Sequence, residues 1–229
     1  QINMKTLREL DTEHLNSINS AIKIGDFTAY FAETREQLKK AYKLRHQVYC
    51  EELGWVPVND FGIESDEFDV NAEIICVENE LGEVVGTSRV IDSDYVWLSE
   101  KYFPQTISGD VVNIKEDFTA EASRIAIISS LRNSKIPNSH LTVQEVLLVM
   151  GMEFTWNTLK KRNILVTVTP LLAVLFKRRG GVIRQAGPIV TMDDGCKVAS
   201  YLVDIEVCKD NYAPYATFST ENQGYARIG

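Results

Sequence analysis

An α/β fold built as one domain, with a sheet of mixed sense flanked by helices, is predicted by three features of the sequence. Strand-like runs recur at Phe27–Phe31, Ala72–Glu78, Glu83–Ile91, Ala120–Ser129, Asn163–Thr169, Gly181–Val190 and Lys197–Ile205, most of them short and rich in Val, Ile and Thr. Helical stretches with their own start and stop signals fall between them, so the first half reads as antiparallel strands and the second as alternating strand and helix. Finally, 229 residues with 45% hydrophobic and 24% charged content suit one large domain with a full core. Residues 1–26 are set apart as an accessory arm, 27–208 as the domain and 209–229 as a tail.

Taken in order, the arm carries weak helical patterning in Leu7, Leu10, Leu15, Ile18 and Ile22. After the first strand, Thr34 and Gln37 form a capping-box pattern that opens a helix. Leu38, Ala41, Tyr42, Val48 and Tyr49 fall along one side of it, and Arg45 lies on that same apolar side. Gly54 ends the helix and Pro57 prevents its continuation, which predicts a mobile loop from Val56 to Gly62 with Trp55 at its root. The next two strands are joined across Asn79-Glu80-Leu81-Gly82, a turn ending in glycine. From Asp92 to Asp117 the pattern is irregular, with Trp97, Tyr102 and Phe103 as packing residues. Ala120–Ser129 reads as a buried central strand, apolar except for Glu121, Ser123 and Arg124 at its start. Thr142 and Glu145 make a second capping box, for a helix striped by Val143, Val146, Leu147, Met150 and Phe154. Pro170 suits the first turn of a helix over Leu171–Arg179, closed by Gly180 and Gly181. In the tail, Tyr212, Tyr215, Phe218 and Tyr225 read as a packed strap or a loose end.

Charge and composition exclude several functions. A net charge of -8 argues against a nucleic-acid binder, which needs a basic surface to neutralise phosphates. No apolar run approaches membrane-spanning length, and the start QINMKTLREL is too charged for a secretory signal, so a cytoplasmic protein is expected. Cys50, Cys76, Cys196 and Cys208 form no C-x-x-C pair, and His14, His46 and His140 show no metal-binding spacing, so neither a disulfide framework nor a catalytic metal is expected. Two basic clusters, Lys160–Arg162 and Lys177–Arg179, read either as solvated helix ends or as docking points for an acidic partner.

The chemistry begins with Arg45. A guanidinium on an apolar helix face stays charged, and leaving it unpaired costs several kcal/mol, on the order of 3–5. Glu64, Asp66 and Asp69 follow within a short stretch and are its natural anions. Arg89, in mid-strand between apolar neighbours, is either an edge solubiliser or a second inward cation. Glu121 and Arg124 are three apart and face opposite ways in a regular strand, so sharing one site requires a bulge, which is predicted here. These residues read as the walls of an active site or, alternatively, as a buried ion network.

Four motifs carry a resemblance to a known family: L-R-x-x-V-Y-x-E-E-L-G-W over Leu44–Trp55, G-x-E-x-D-x-x-D over Gly62–Asp69, G-T-x-R over Gly86–Arg89 and E-x-S-R over Glu121–Arg124. In that order and spacing the chain resembles the autoinducer synthases that make acyl-homoserine lactones, and the related N-acyl amino acid synthases and exosortase-associated acyltransferases. Beyond Ile128 the likeness is a V-T-V-T strand followed by a helix ending in Arg178-Arg179-Gly180. The resemblance implies a GNAT-like mixed central sheet with splayed central strands, and an acyltransferase domain over 27–208. It implies that Arg45, Tyr49, Trp55, Asp66, Asp69 and Arg89 form or brace an amine-substrate pocket, and that Arg124 joins them beside Glu121, the family's proposed general base. Tyr49 departs from the phenylalanine more common in autoinducer synthases and, with Cys50, resembles the N-acyl amino acid branch.

The implied reaction is attack of an amine on a thioester, with Glu121 taking the proton directly or through water, the arginines gripping an acceptor carboxylate, and backbone amides meeting the oxyanion. No tightly bound cofactor is implied. The segment Ser130–Pro137 holds no glycine, unlike the pyrophosphate loops of coenzyme A users of this fold, so the acyl-phosphopantetheine of an acyl carrier protein is the expected donor. The acyl tail is expected among Ile127, Val146, Met150, Val166 and Leu172, which read equally as core. The expected acceptor is S-adenosylmethionine, giving a quorum-sensing lactone. A free amino acid as acceptor, or a non-catalytic acyl or amino-acid sensor, are the alternatives.

Overall fold

The computed structural model describes residues 21–212. The arm's Leu7, Leu10, Leu15 and Ile18 and the tail's Tyr215, Phe218 and Tyr225 lie outside the described residues. The chain packs as two compact units interleaved in sequence, one reaching Val90 and taking in Arg124–Gly151, the other comprising Ile91–Ser123 and the chain from Met152. No described helix is long and apolar enough to cross a membrane.

In the first unit, β1 (Ile22–Ile24) and β2 (Phe27–Phe31) form an antiparallel hairpin with Ile24 opposite Phe27. Ile22, counted in a helical stripe from the sequence, is therefore a strand residue: its cross-strand pairing with Ala29 overrides a weak periodicity. β2 pairs antiparallel with β3 (Ala72–Glu78), and β4 (Val84–Ile91) follows β3 in strand order. Between β2 and β3 stands α1 (Arg35–Arg45). Its capping box is formed as the sequence predicts: Thr34 Oγ1 accepts from Gln37 N at 3.2 Å and Gln37 Oε1 accepts from Thr34 N at 3.1 Å. Ile74, Ile75, Cys76, Val77 and Val85 make one side of the core, and Val143, Val146, Leu147 and Met150 from α4 (Val143–Asn157) are buried as well. Gly86 marks the close approach of strand and helix, because a Cβ there would lie 2.3 Å from Val143 Cγ1.

The second unit holds α2 (Leu98–Tyr102), α3 (Val111–Glu116), β6 (Asn163–Val168), α5 (Pro170–Arg178), β7 (Ile183–Gln185), β8 (Val190–Thr191), β9 (Lys197–Asp204) and α6 (Ile205–Tyr212). The central strand β5 (Thr119–Ile127) starts in this unit, parallel to β6 from Thr119↔Asn163 to Ala122↔Val166. That ladder stops at Ala122 although β5 runs on to Ile127 and β6 to Val168. β9 is antiparallel to β6, β7 and β8. The single strand expected over Gly181–Val190 is broken in two. Gly187 presses on residue 106, where a Cβ would meet the Thr106 carbonyl oxygen at 2.2 Å, and Pro188 has no amide to continue a ladder. The start of the expected tail is helical, as α6.

Candidate functional site

The first departure from an ordinary helix lies just past Arg45. α1 widens into a π-helical segment, His46–Glu52, in which Leu53 N donates to Val48 O at 3.0 Å. The sequence reads as continuous α-helix here, since no proline or glycine announces the change. The extra residue per turn brings side chains five apart to one side: His46 Nδ1 lies 3.1 Å from Glu51 Oε1, and Gln47 Nε2 donates to Glu52 Oε1 at 3.3 Å. It also frees the Tyr49 carbonyl from the helix ladder. That oxygen accepts from Trp55 N at 2.9 Å and Val56 N at 3.2 Å, which roots the loop. Gly54 makes the reversal at φ +64, and Trp55 emerges 52% exposed, its ring centroid 6.1 Å from that of buried Tyr49.

The acids return to the helix in the next segment. Asp66 caps a 3-10 turn, Glu67–Asn71, and Asp69 reaches back to accept from Asp66 N at 2.7 Å, so the two carboxylates are fixed by their own backbone. Arg45, 1% exposed, places Nε 2.5 Å from Glu64 Oε2 and NH1 2.7 Å from Asp69 Oδ1. Arg89 is fully buried, with NH1 donating to Asp66 Oδ1 at 2.5 Å and Asp69 Oδ1 at 2.9 Å. Arg124 completes the set, with NH2 3.1 Å from Asp66 Oδ2 and Nε 3.4 Å from Glu64 Oε1. Its guanidinium also lies 5.2 Å over the Tyr49 ring. Arg124 takes φ +53 in mid-strand, a left-handed conformation unusual for this residue type.

Three cations and three anions thus balance inside the first unit. Burial raises the Asp69 carboxyl and the guanidinium groups of Arg45 and Arg89 overcome it, holding the acid below its ordinary value. Burial opposes the charge on Arg45, and Asp69 and Glu64 outweigh it, so its pKa is raised. Burial likewise raises the Tyr49 hydroxyl, partly offset by Arg124 and Arg45, and that hydroxyl donates to Ile125 O at 2.6 Å. Arg45 NH2, Arg124 Nε and Asp66 Oδ2 are buried and make no hydrogen bond, although all three lie in the ion-pair network.

Glu121 belongs to the second unit and is held differently. It is 2% exposed; Oε1 accepts from Leu98 N at 2.9 Å, and Oε2 accepts from Ser99 N at 2.9 Å and Ser99 Oγ at 2.5 Å, at the start of α2. Sequence reasoning missed Ser99, which no sequence signal marks as a donor to Glu121.

The autoinducer synthase family model matches residues 30–211. The chain belongs to the autoinducer synthase family. Two acyl-homoserine-lactone synthases of Aliivibrio fischeri are similar to it. One is 33% identical over 105 residues, 45% of this chain and 53% of that protein; the other, 33% over 119 residues, 52% and 58%. The chain thus spans about half the length of the curated relatives it matches. Among solved structures, TofI in a ternary complex with an inhibitor and MTA matches with TM-score 0.67 at 19% identity, over 81% of this chain and 96% of that one. BjaI, a CoA-dependent acyl-homoserine lactone synthase with SAM and isopentyl-CoA, gives 0.65 at 17%, over 86% and 90%. FeeM, an N-acyl amino acid synthase from uncultured soil microbes, gives 0.57 at 14%, over 81% and 94%. At these identities the likeness establishes the GNAT-like fold of autoinducer synthases.

The two basic clusters and the glycine-free segment are held in different ways. In the first basic cluster, Lys161 Nζ donates to Ser93 Oγ at 2.9 Å, and Arg162 pairs with Asp204 and Glu206 at 3.3 and 3.1 Å. The second cluster, Lys177–Arg179, is exposed at the end of α5, whose Leu171, Val174 and Leu175 are exposed too. In the glycine-free segment after β5, Arg132 turns back to donate to Ile127 O at 2.9 Å and pairs with Glu52.

Proposed function

We propose that this protein is an N-acyltransferase that moves a fatty acyl group from acyl carrier protein to the amine of S-adenosylmethionine, giving an acyl-homoserine lactone. The observation that carries this reading is the balanced cluster of Arg45, Arg89 and Arg124 with Glu64, Asp66 and Asp69, of which Asp66 and Arg124 are partly exposed and paired at 3.1 Å. An acid and a guanidinium side by side complement a zwitterion: the ammonium of an amino-acid head group pairs with Asp66 and its carboxylate with Arg124. Trp55 covers that head group, and Tyr49 braces Trp55.

The chemistry needs a proton acceptor, and Glu121 is assigned that role. Its hydrogen bonds from Leu98 and Ser99 fix its orientation. The freed amine attacks the thioester carbonyl, the tetrahedral oxyanion collapses, and the C–S bond breaks to release the phosphopantetheine thiol. With S-adenosylmethionine, the carboxylate oxygen then displaces methylthioadenosine and closes the lactone. Carrier protein is favoured as donor by the glycine-free segment, whose Arg132 is tied to Ile127 O and Glu52, and by the exposed Lys177–Arg179, a charge match for an acidic partner. A free amino acid as acceptor is the second reading, favoured by Tyr49 and by the likeness to FeeM.

The test is incubation with acyl carrier protein thioesters or acyl-coenzyme A, each with S-adenosylmethionine or free amino acids, read by mass. Acyl-homoserine lactone and methylthioadenosine from the carrier thioester are expected. Product from coenzyme A alone overturns the donor assignment, and N-acyl amino acids overturn the acceptor assignment. No thiol release with any pair leaves a binding protein.

A further inference from the structure

The loop between Trp55 and Glu64 returns along the helix that precedes it and is tied there at three points. Trp55 N donates to the carbonyl of Tyr49 at 2.9 Å, Asn59 N to His46 Nε2 at 3.4 Å, and Glu64 N to the carbonyl of Tyr42 at 3.0 Å. Positions 42, 46 and 49 form one stripe of the helix. The outer ties use main-chain oxygens that any residue supplies. The middle tie uses a side chain, so His46 is where a substitution can release the loop while leaving its ends attached.

The remaining contacts fix the chemistry of that imidazole. His46 is buried, with Nδ1 facing Glu51 Oε1 at 3.1 Å and Nε2 facing an N–H. Both contacts are satisfied together by the neutral ring with its proton on Nδ1, because a proton on Nε2 would set two donors against each other. Asn59 is the organiser of the loop tip: its Oδ1 accepts from Phe61 N at 3.1 Å and its Nδ2 donates to Ile63 O at 2.7 Å. Holding Asn59 therefore holds the whole tip from Asn59 to Ile63. The π-helical widening is what makes this possible, since it brings Glu51 to the side of His46 from five residues away.

We propose that His46, as the neutral Nδ1–H tautomer oriented by Glu51, is a positioning residue that latches the Trp55–Ile63 loop closed beside the arginine and acid cluster. Its consequence for catalysis rests on the reading of that cluster as the acceptor site. The latch itself is a property of the protein without substrate. At 3.4 Å this hydrogen bond is at the weak end of the range and shifts an open–closed equilibrium by about two-fold.

The experiment uses the full chain. Amide hydrogen exchange read residue by residue separates the tip from the ends. His46→Phe, which removes the acceptor, is expected to raise exchange at Asn59 and Phe61 about two-fold while Trp55 and Glu64, tied to main-chain oxygens, keep theirs. His46→Gln, whose amide oxygen reaches toward the place of Nε2, is expected to restore the wild-type rates. Equal exchange at Asn59 and Phe61 in wild type and His46→Phe overturns the latch. Proton–nitrogen correlation spectra of the wild type need no variant: a protonated Nδ1 and an unprotonated Nε2 support the latch, and a proton on Nε2 overturns it. With an acceptor amine that turns over, His46→Phe raises KM about two-fold while kcat holds. Loss of kcat at unchanged KM assigns His46 another role. A protein that turns over no amine would sink the acceptor-site reading and leave the exchange and tautomer results to decide the latch.

Discussion

The two units bury carboxylates in opposite ways. In the first, Glu64, Asp66 and Asp69 are compensated by guanidinium groups drawn from α1, β4 and β5. In the second, Glu121 accepts from two main-chain amides and one hydroxyl gathered at a single helix start. Glu153, also in the second unit, shows the third possibility: its Oε2 is buried without a hydrogen bond, and desolvation alone pushes the acid up from its ordinary value. The difference lies in what is left behind when one partner is removed. Deleting a cation strands full negative charge in a low-dielectric interior, whereas changing Glu121 strands neutral amides.

The sharpest way to break the first arrangement is Arg45→Met, which keeps the volume and removes the charge. Glu64 Oε2 and one side of Asp69 lose their partner, and a loss of about 3–5 kcal/mol is expected from urea unfolding at neutral pH. The sign in acid follows from Asp69, whose folded value lies below its ordinary 3.8. In the wild type its contribution is present above the unfolded value and is lost as pH falls through the folded one. The variant has already lost most of that contribution, so its deficit narrows as pH drops below about 4. A deficit independent of pH would show that Arg45 acts through packing instead.

In the second arrangement the matching change is Glu121→Gln. A glutamine must set its NH₂ against Leu98 N–H or Ser99 N–H, so the substitution is not isosteric in hydrogen bonding, and about 1–3 kcal/mol of stability is expected to be lost. Turnover, corrected for the folded fraction, is expected to fall by about 10²-fold or more if Glu121 takes the proton. Retained turnover in folded protein would remove it as the base.

The same contrast explains what was legible in the sequence. Strands and helices with local signatures, such as the Thr34 capping box, the Thr142 hydroxyl that accepts from Glu145 N and the apolar run at Ile74–Val77, fall where the pattern places them. The arginine and acid cluster was legible because buried charge demands countercharge, so Arg45 on an apolar face announces acids elsewhere. Strand geometry asks for an irregularity between Glu121 and Arg124 if they are to share a site, and it does not announce the left-handed backbone at Arg124. Neutral partners leave no such trace. Nothing in the sequence marks Ser99 as a donor to Glu121, or His46 as an acceptor for Asn59, because backbone amides are present everywhere and only tertiary approach selects one. The π-helical segment is silent for the same reason: its gain is the tie from the Tyr49 carbonyl to Trp55, made outside the helix.

The smallest expected effect concerns Tyr49, where the family resemblance makes phenylalanine the commoner residue. Its hydroxyl donates to Ile125 O, next to the left-handed Arg124, while its ring lies between Arg124 and Trp55. Tyr49→Phe keeps the ring, and with it the stacking under the guanidinium and the contact with Trp55. What it removes is one hydrogen bond to a carbonyl beside Arg124, so a loss of about 1 kcal/mol is expected in thermal unfolding. If the cluster alone positions Arg124, KM for the acceptor stays within about two-fold of wild type. A larger rise in KM would mean that the hydroxyl helps set the backbone that turns Arg124 toward Asp66. That would place part of the proposed amine recognition at the residue where this chain departs from the commoner pattern.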